Sequence, residues 1–120
     1  MRGSNDTTTA KGKRAEDQAA AFLETHGLSL LSRNYRCRGG EIDLVCRDGK
    51  SLVFVEVRQR KRQDFGGAGA SITPTKQRRI LLAAQHFLLA TGQTHGDCRI
   101  DCILIDDAEP TWIKNAISAD

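Results

Sequence analysis

The sequence predicts an α/β fold, a central mixed β-sheet flanked by helices, with elements in the order α-β-β-β-α-β-β. Three observations lead there. Two segments repeat apolar residues at helical spacing: Ala15, Ala19, Phe22 and Leu23 in one, Ile80, Ala83, Ala84, Phe87 and Leu88 in the other. Between them, GEIDLVCRDGKSLVFVEVR alternates like two strands around Asp48-Gly49, a strong two-residue hairpin signal. After the second helical segment, CRIDCILI is an apolar run of strand length.

Taken in order, residues 1–10 read as a disordered polar tail and residues 11–120 as a single domain. The basic residues near the N-terminus are followed by no apolar stretch, which argues against a secretory signal. The first helix is expected over residues 8–26, with His26 on its apolar face and Gly27 as a left-handed stop. Glu16 projects close to Leu23 at the edge of that face, while Asp17 and Glu24 point outward. A first strand spans about residues 28–36.

Residues 41–47 alternate, with Glu41, Asp43 and Val45 on one face and Ile42, Leu44 and Cys46 on the other. Residues 51–58 set Leu52, Phe54, Glu56 and Arg58 against Val53, Val55 and Val57. Apolar residues on both faces mark a central, doubly covered strand. The glycine-rich stretch 61–73 reads as a long mobile loop, a length more often functional than not. Thr73 and Pro74 open the second helix as N-cap and first residue; it runs to Thr91 and stops at Gly92. Lys76 projects from its first turn. Strands at 98–105 and 111–117 complete the sheet.

Composition sets the class. The chain has 120 residues, 39% of them hydrophobic and 28% charged, which suits one soluble core. No apolar run approaches the roughly 20 residues needed to cross a bilayer, so no membrane role and a cytoplasmic location are expected. The net charge of +3 is unevenly spread. Bases cluster at Arg33, Arg36 and Arg38, at Arg58, Arg60, Lys61 and Arg62, and at Lys76, Arg78 and Arg79. Such clusters suit a polyanion, although taken alone they are more simply a solvated basic surface. The four cysteines form no CxxC pair, so they read as free, buried thiols rather than a zinc site.

The residues that carry chemistry lie on the hairpin. A turn at 48–49 sets residue 43 opposite about residue 54, which makes Asp43 and Glu56 diagonal neighbours, about 7–8 Å apart at Cα. Arg58 shares the face of Glu56. Two carboxylates on a half-buried face repel one another and lose hydration. Ion pairs with Arg58 or another arginine relieve this; so does a divalent cation, for which carboxylates and carbonyls are the preferred ligands of Mg²⁺ and Mn²⁺. Strand geometry alone favours neither.

The runs KGKRAEDQAAAFLETHGLSLLSRNYRCRGGEIDLVCRDGKSLVFVEVRQR, TPTKQRRILLAAQHFL and RIDCILI resemble the YraN family of bacterial proteins, over about Lys11–Ile105. By fold that family belongs with restriction-endonuclease-like proteins of the PD-(D/E)XK type and is similar to Holliday-junction resolvases. The resemblance implies a metal-dependent phosphodiesterase site using Mg²⁺ or Mn²⁺. It implies Glu16, Asp43, Glu56 and the Val57 carbonyl as metal ligands, and Asp43, Glu56, Arg58 and Lys76 as catalytic groups. Arg58 stands where the motif has lysine. An arginine stays charged and cannot act as a base, though it can still grip a phosphate.

The expected partner is nucleic acid, DNA before RNA, contacted by Arg36, Arg60, Lys61, Arg62, Lys76 and Arg79. With six aromatic residues scattered along the chain there is no stacking platform for single strands, so duplex or branched DNA is favoured. Resolvase-like relatives act as two-fold dimers, which makes a homodimer the expected assembly. Two other readings are a catalytically inactive nucleic-acid-binding module of the same fold and a protein-interaction domain.

Overall fold

The computed structural model describes residues 6–59, 72–93, 96–106 and 109–117. Its elements are α1 (Asp6–Thr25), β1 (Ser29–Cys37), β2 (Gly40–Asp48), β3 (Ser51–Gln59), α2 (Pro74–Thr91), β4 (Cys98–Ile105) and β5 (Thr111–Ile117). This is the predicted order. Helix α1 starts at Asp6, two residues early, and takes in residues 6–10 of the expected tail. Most of the glycine-rich stretch, with Arg60, Lys61 and Arg62, lies outside the described residues.

The five strands lie in the order β1-β2-β3-β4-β5. Only β3 and β4 pair in parallel, which requires a crossover, and α2 provides it. The other neighbours are antiparallel. Each face carries one helix. Phe54, Leu52, Ile100 and Leu104 pack beneath Ile80, Ala83 and Phe87 of α2. Val53, Val55, Ile103 and Ile105 pack beneath Ala15, Ala19 and Leu23 of α1. Alternation along β3 feeds both cores, as a central strand must.

Helix α2 is anchored at both ends. The Thr73 hydroxyl accepts the Lys76 N–H at 3.2 Å, and Gly92, at φ 74°, closes the C-terminus by donating to the Leu88 and Leu89 carbonyls. Its close seat on β2 depends on Gly40. A Cβ there would stand 2.6 Å from the Arg79 carbonyl oxygen and 2.9 Å from the Ala83 nitrogen.

Three expectations are corrected. His26 is exposed, beyond the end of α1, with its ring against Phe22 and Trp112 at centroid distances of 4.2 and 5.9 Å. Of the cysteines only Cys46 and Cys102 are buried; Cys98 opens β4 at an exposed position and Cys37 is half-buried. Burial pushes the Cys46 and Cys102 thiols up to about 11, so they are inert packing groups.

The third correction concerns alternation. Strand β2 does not keep one set of residues on one face. Ile42 packs with the α2 core, whereas Leu44, two residues on, packs with the α1 core. Strand β1 turns over with it: Arg33 pairs with Asp17 on α1, while Tyr35 bonds His86 and meets Phe87 of α2 edge to face. The register stays constant from Arg33↔Leu44 to Tyr35↔Ile42. The turnover is therefore a shared kink, centred on Asn34 at φ 52° and its neighbour Asp43. Asparagine tolerates this left-handed backbone better than most residues.

Candidate active site

The kink opens the β2–β3 ladder where the acids sit. Pairing runs from Asp48↔Ser51 to Leu44↔Val55 and goes no further. Continued by one step, this register sets Asp43 directly opposite Glu56. The expected diagonal is thus corrected by two residues, because Asp48 pairs with Ser51 and the turn residues are Gly49 and Lys50, one position later than expected. Past the last pair, the Asp43 carboxylate stands in for a backbone partner: its Oδ2 accepts the Val57 N–H at 2.8 Å.

Four side chains from four elements meet around one open cavity of about 330 Å³. Glu16 comes from α1, Asp43 from β2, Glu56 from β3 and Lys76 from α2; Val57 and Gly12 also line it. Glu16 is held by Asn34, whose Nδ2 donates to Oε1 at 3.2 Å. Glu56 is only 6% exposed. Lys76 Nζ lies 3.6 Å from Glu56 Oε2 and 3.2 Å from Glu41 Oε2. Arg79 adds a contact to Glu41 at 3.7 Å.

All three cavity acids hold their protons more tightly than free carboxylates do. Burial, reinforced by the Asp43 charge, pushes Glu56 up to about 8. Burial also raises Asp43, against the opposing pull of the Val57 N–H. Glu16 is raised by burial and then by Asp43. Glu41 shows the contrast: the Lys76 hydrogen bond lowers it. Burial works against the Lys76 ammonium, but Glu56 and Glu41 outweigh that and hold it above its ordinary value. Among the described residues the cavity is therefore lined by three carboxyl groups and a single ammonium, that of Lys76.

The other predicted residues within the described stretches fall nearby. Arg58 lines an adjoining cavity of about 300 Å³ with Glu56, Gln59, Thr73 and Lys76. Arg36 lines a second, of about 350 Å³, on the α1 side. Two residues central to this geometry, Asn34 and Glu41, were not anticipated. Each looks like an ordinary surface residue in the sequence, and each acquires its role from a non-local partner.

Comparison with known proteins agrees with the sequence motifs. Residues 15–105 match the family described as "Uncharacterised protein family UPF0102". The chain belongs to the UPF0102 (YraN) family. A UPF0102 protein of Dechloromonas aromatica is 67% identical over 116 residues, covering 97% of this chain and 95% of its own. One from Janthinobacterium is 55% identical over 108 residues, covering 90% and 87%. One from Ralstonia pickettii is 48% identical over 124 residues, covering 100% and 99%. UPF0102 relatives thus match this chain along nearly its whole length and theirs. In this member, among the described residues, no helix is long and apolar enough to cross a membrane.

Proposed function

We propose that this UPF0102 protein is a nuclease that hydrolyses phosphodiester bonds of branched or duplex DNA with Mg²⁺ or Mn²⁺. One observation carries the reading. Half-buried Asp43 and buried Glu56 face each other where their ladder opens, with Glu16 and Lys76 closing on them from opposite helices.

The donor set fits a hard divalent cation. It consists of carboxylates with raised proton affinity around a cavity with room for water. Among the described residues no three His, Cys, Asp or Glu side chains are already drawn together as a cage. Glu16, Asp43, Glu56 and the Val57 carbonyl are the groups that would hold the cation. Bound there, the ion supplies a Lewis acid for phosphoryl oxygen and a lowered pKa for water.

The chain's own residues do the rest. The Val57 N–H fixes the Asp43 carboxylate toward the cavity. Lys76 offsets phosphate charge from the N-terminal turn of α2, which has no acidic residue to oppose it. Glu41 orients that ammonium. Arg58, permanently charged, grips phosphate from the adjoining cavity instead of moving protons. A two-fold dimer belongs to the same proposal and is read out by sedimentation.

The test is cleavage of labelled duplex, flapped and four-way DNA in Mg²⁺ and in Mn²⁺. Asp43→Asn and Glu56→Gln should each lower the rate by at least about 10²-fold while the protein stays folded. Wild-type protein that cuts none of these substrates in either metal overturns the reading. The arginine at the motif lysine position favours one alternative, a nucleic-acid-binding module without catalysis. It requires salt-sensitive binding that survives both substitutions.

A further inference from the structure

The acid cavity has a neighbour on each side. Toward α2 it shares Glu56, Gln59 and Lys76 with the cavity that holds Arg58. Toward α1 it shares Gly12 and Glu16 with the cavity lined by Lys13, Arg33, Asn34 and Arg36. The three form a row, acidic at the centre and basic at both ends.

The α1-side cleft owes its charge to the kink. In a straight strand, residues 33 and 36 point to opposite faces. The left-handed backbone at Asn34 cancels the odd step, so Arg33 and Arg36 line one cavity together with Lys13 of α1. Arg33 is tied to Asp17, but both side chains are well exposed, and an exposed pair of this kind is readily exchanged for another anion. Asn34 also holds Glu16, the wall common to both cavities. One backbone feature thus sets an acid of the centre and the bases beside it.

We propose that the Lys13–Arg33–Arg36 cleft seats the phosphodiester backbone of the same DNA strand, next to the phosphate at the acid cavity. This rests on the nuclease reading for the strand's direction and extends it with a binding site of its own. The strand then runs from the α1-side cleft across Glu16 to the acids and leaves past Lys76 and Arg58. Its register is set by phosphate charge, so the cleft adds affinity without base preference.

The experiment measures binding of a fluorescein-labelled four-way junction and of a matched duplex by the full chain. Anisotropy is followed against salt concentration in EDTA, so that no cleavage intervenes. Lys13→Gln and Arg36→Gln alter partly or fully exposed side chains. Each should weaken binding several-fold and reduce the slope of log K against log salt by about 1. Lys50→Gln, in the hairpin turn at the far end of β2 and β3, should leave the slope unchanged. Wild-type slopes in both cleft variants overturn the proposal, as does an equal loss with Lys50→Gln. If binding follows Lys13 and Arg36 but wild-type protein cuts nothing in Mg²⁺ or Mn²⁺, the nuclease reading fails and the cleft stands.

Discussion

Lys76 Nζ lies 3.6 Å from Glu56 Oε2, and the helix that carries the lysine sits close on the sheet at Gly40. The ammonium takes up part of a charge that burial would otherwise suppress. It therefore occupies the place in the acid cavity that Arg58, in the next cavity, does not.

Lys76 and Arg58 should accordingly separate in kinetics. Lys76→Ala is expected to lower kcat by about 10²-fold or more, as removal of a charge-stabilising group at the reacting centre does. Arg58→Ala is expected to act mainly by raising KM. Steady-state cleavage over a range of DNA concentrations measures both. A larger kcat loss for Arg58→Ala would reverse the assignment.

The proton affinity of Glu56 has a stability consequence of definite sign. Its folded value, about 8, lies above that of a free glutamate. Between the two values the folded state holds more protons than the unfolded state. Glu56 thus stabilises the fold relatively at low pH, and this contribution is lost as pH rises toward 8. The loss reaches at most about 1.4 kcal/mol per pH unit. Denaturation across pH 4–9 should show the decline, and Glu56→Gln should flatten it.

A divalent cation competes with those protons. Mn²⁺ should raise the melting temperature by several degrees at pH 8 and by less at pH 6, where Glu56 is protonated. Asp43→Asn should abolish the increment. A thermal shift that is equal at both pH values, or intact in Asp43→Asn, would place the ion elsewhere.

Gly40→Ala tests the seat of α2. The added Cβ meets backbone atoms at 2.6 and 2.9 Å, which a rotamer change cannot relieve. A loss of about 1–3 kcal/mol in urea unfolding is expected, with weaker DNA binding because Lys76 moves with the helix.

Asp101 is fully buried, accepting from Arg99 Nε at 3.1 Å, Trp112 Nε1 at 2.9 Å and the Asn115 N–H at 2.8 Å. Asp101→Ala leaves those donors without a partner and should cost about 3–5 kcal/mol. Trp112→Phe removes a single donor and should cost about 1 kcal/mol. Urea unfolding of the two variants orders them.

Much of this molecule can be read from its residues, for local reasons. Thr73-Pro74 and Gly92 bound α2 because caps depend on neighbouring residues. Asp48-Gly49 signals the hairpin in the same way, although the turn itself falls on Gly49 and Lys50. The central position of β3 follows from its two apolar faces. What could not be read is non-local. The turnover of β1 and β2 at Asn34 and Asp43 breaks the alternation that strand patterning assumes, and it shifts which side chains meet. Glu41 needs Lys76, and Asp101 needs a tryptophan eleven residues on. Neither spacing is a recognisable motif.

Among the described residues the sheet ends in two margins, β1 and β5, and each carries an asparagine with left-handed backbone, Asn34 at φ 52° and Asn115 at φ 54°. Each margin also shows a register shift, after Leu30 in β1 and beside Cys102 in the β4–β5 pair. A straight nine-residue margin such as β1 would otherwise offer an unbroken row of backbone donors and acceptors to another copy of the chain. Bent at these points, each margin presents an interrupted row of backbone groups. The deformation at Asn34, which sets Glu16 and the bases beside it, thus also interrupts the edge along which another copy of the chain would pair.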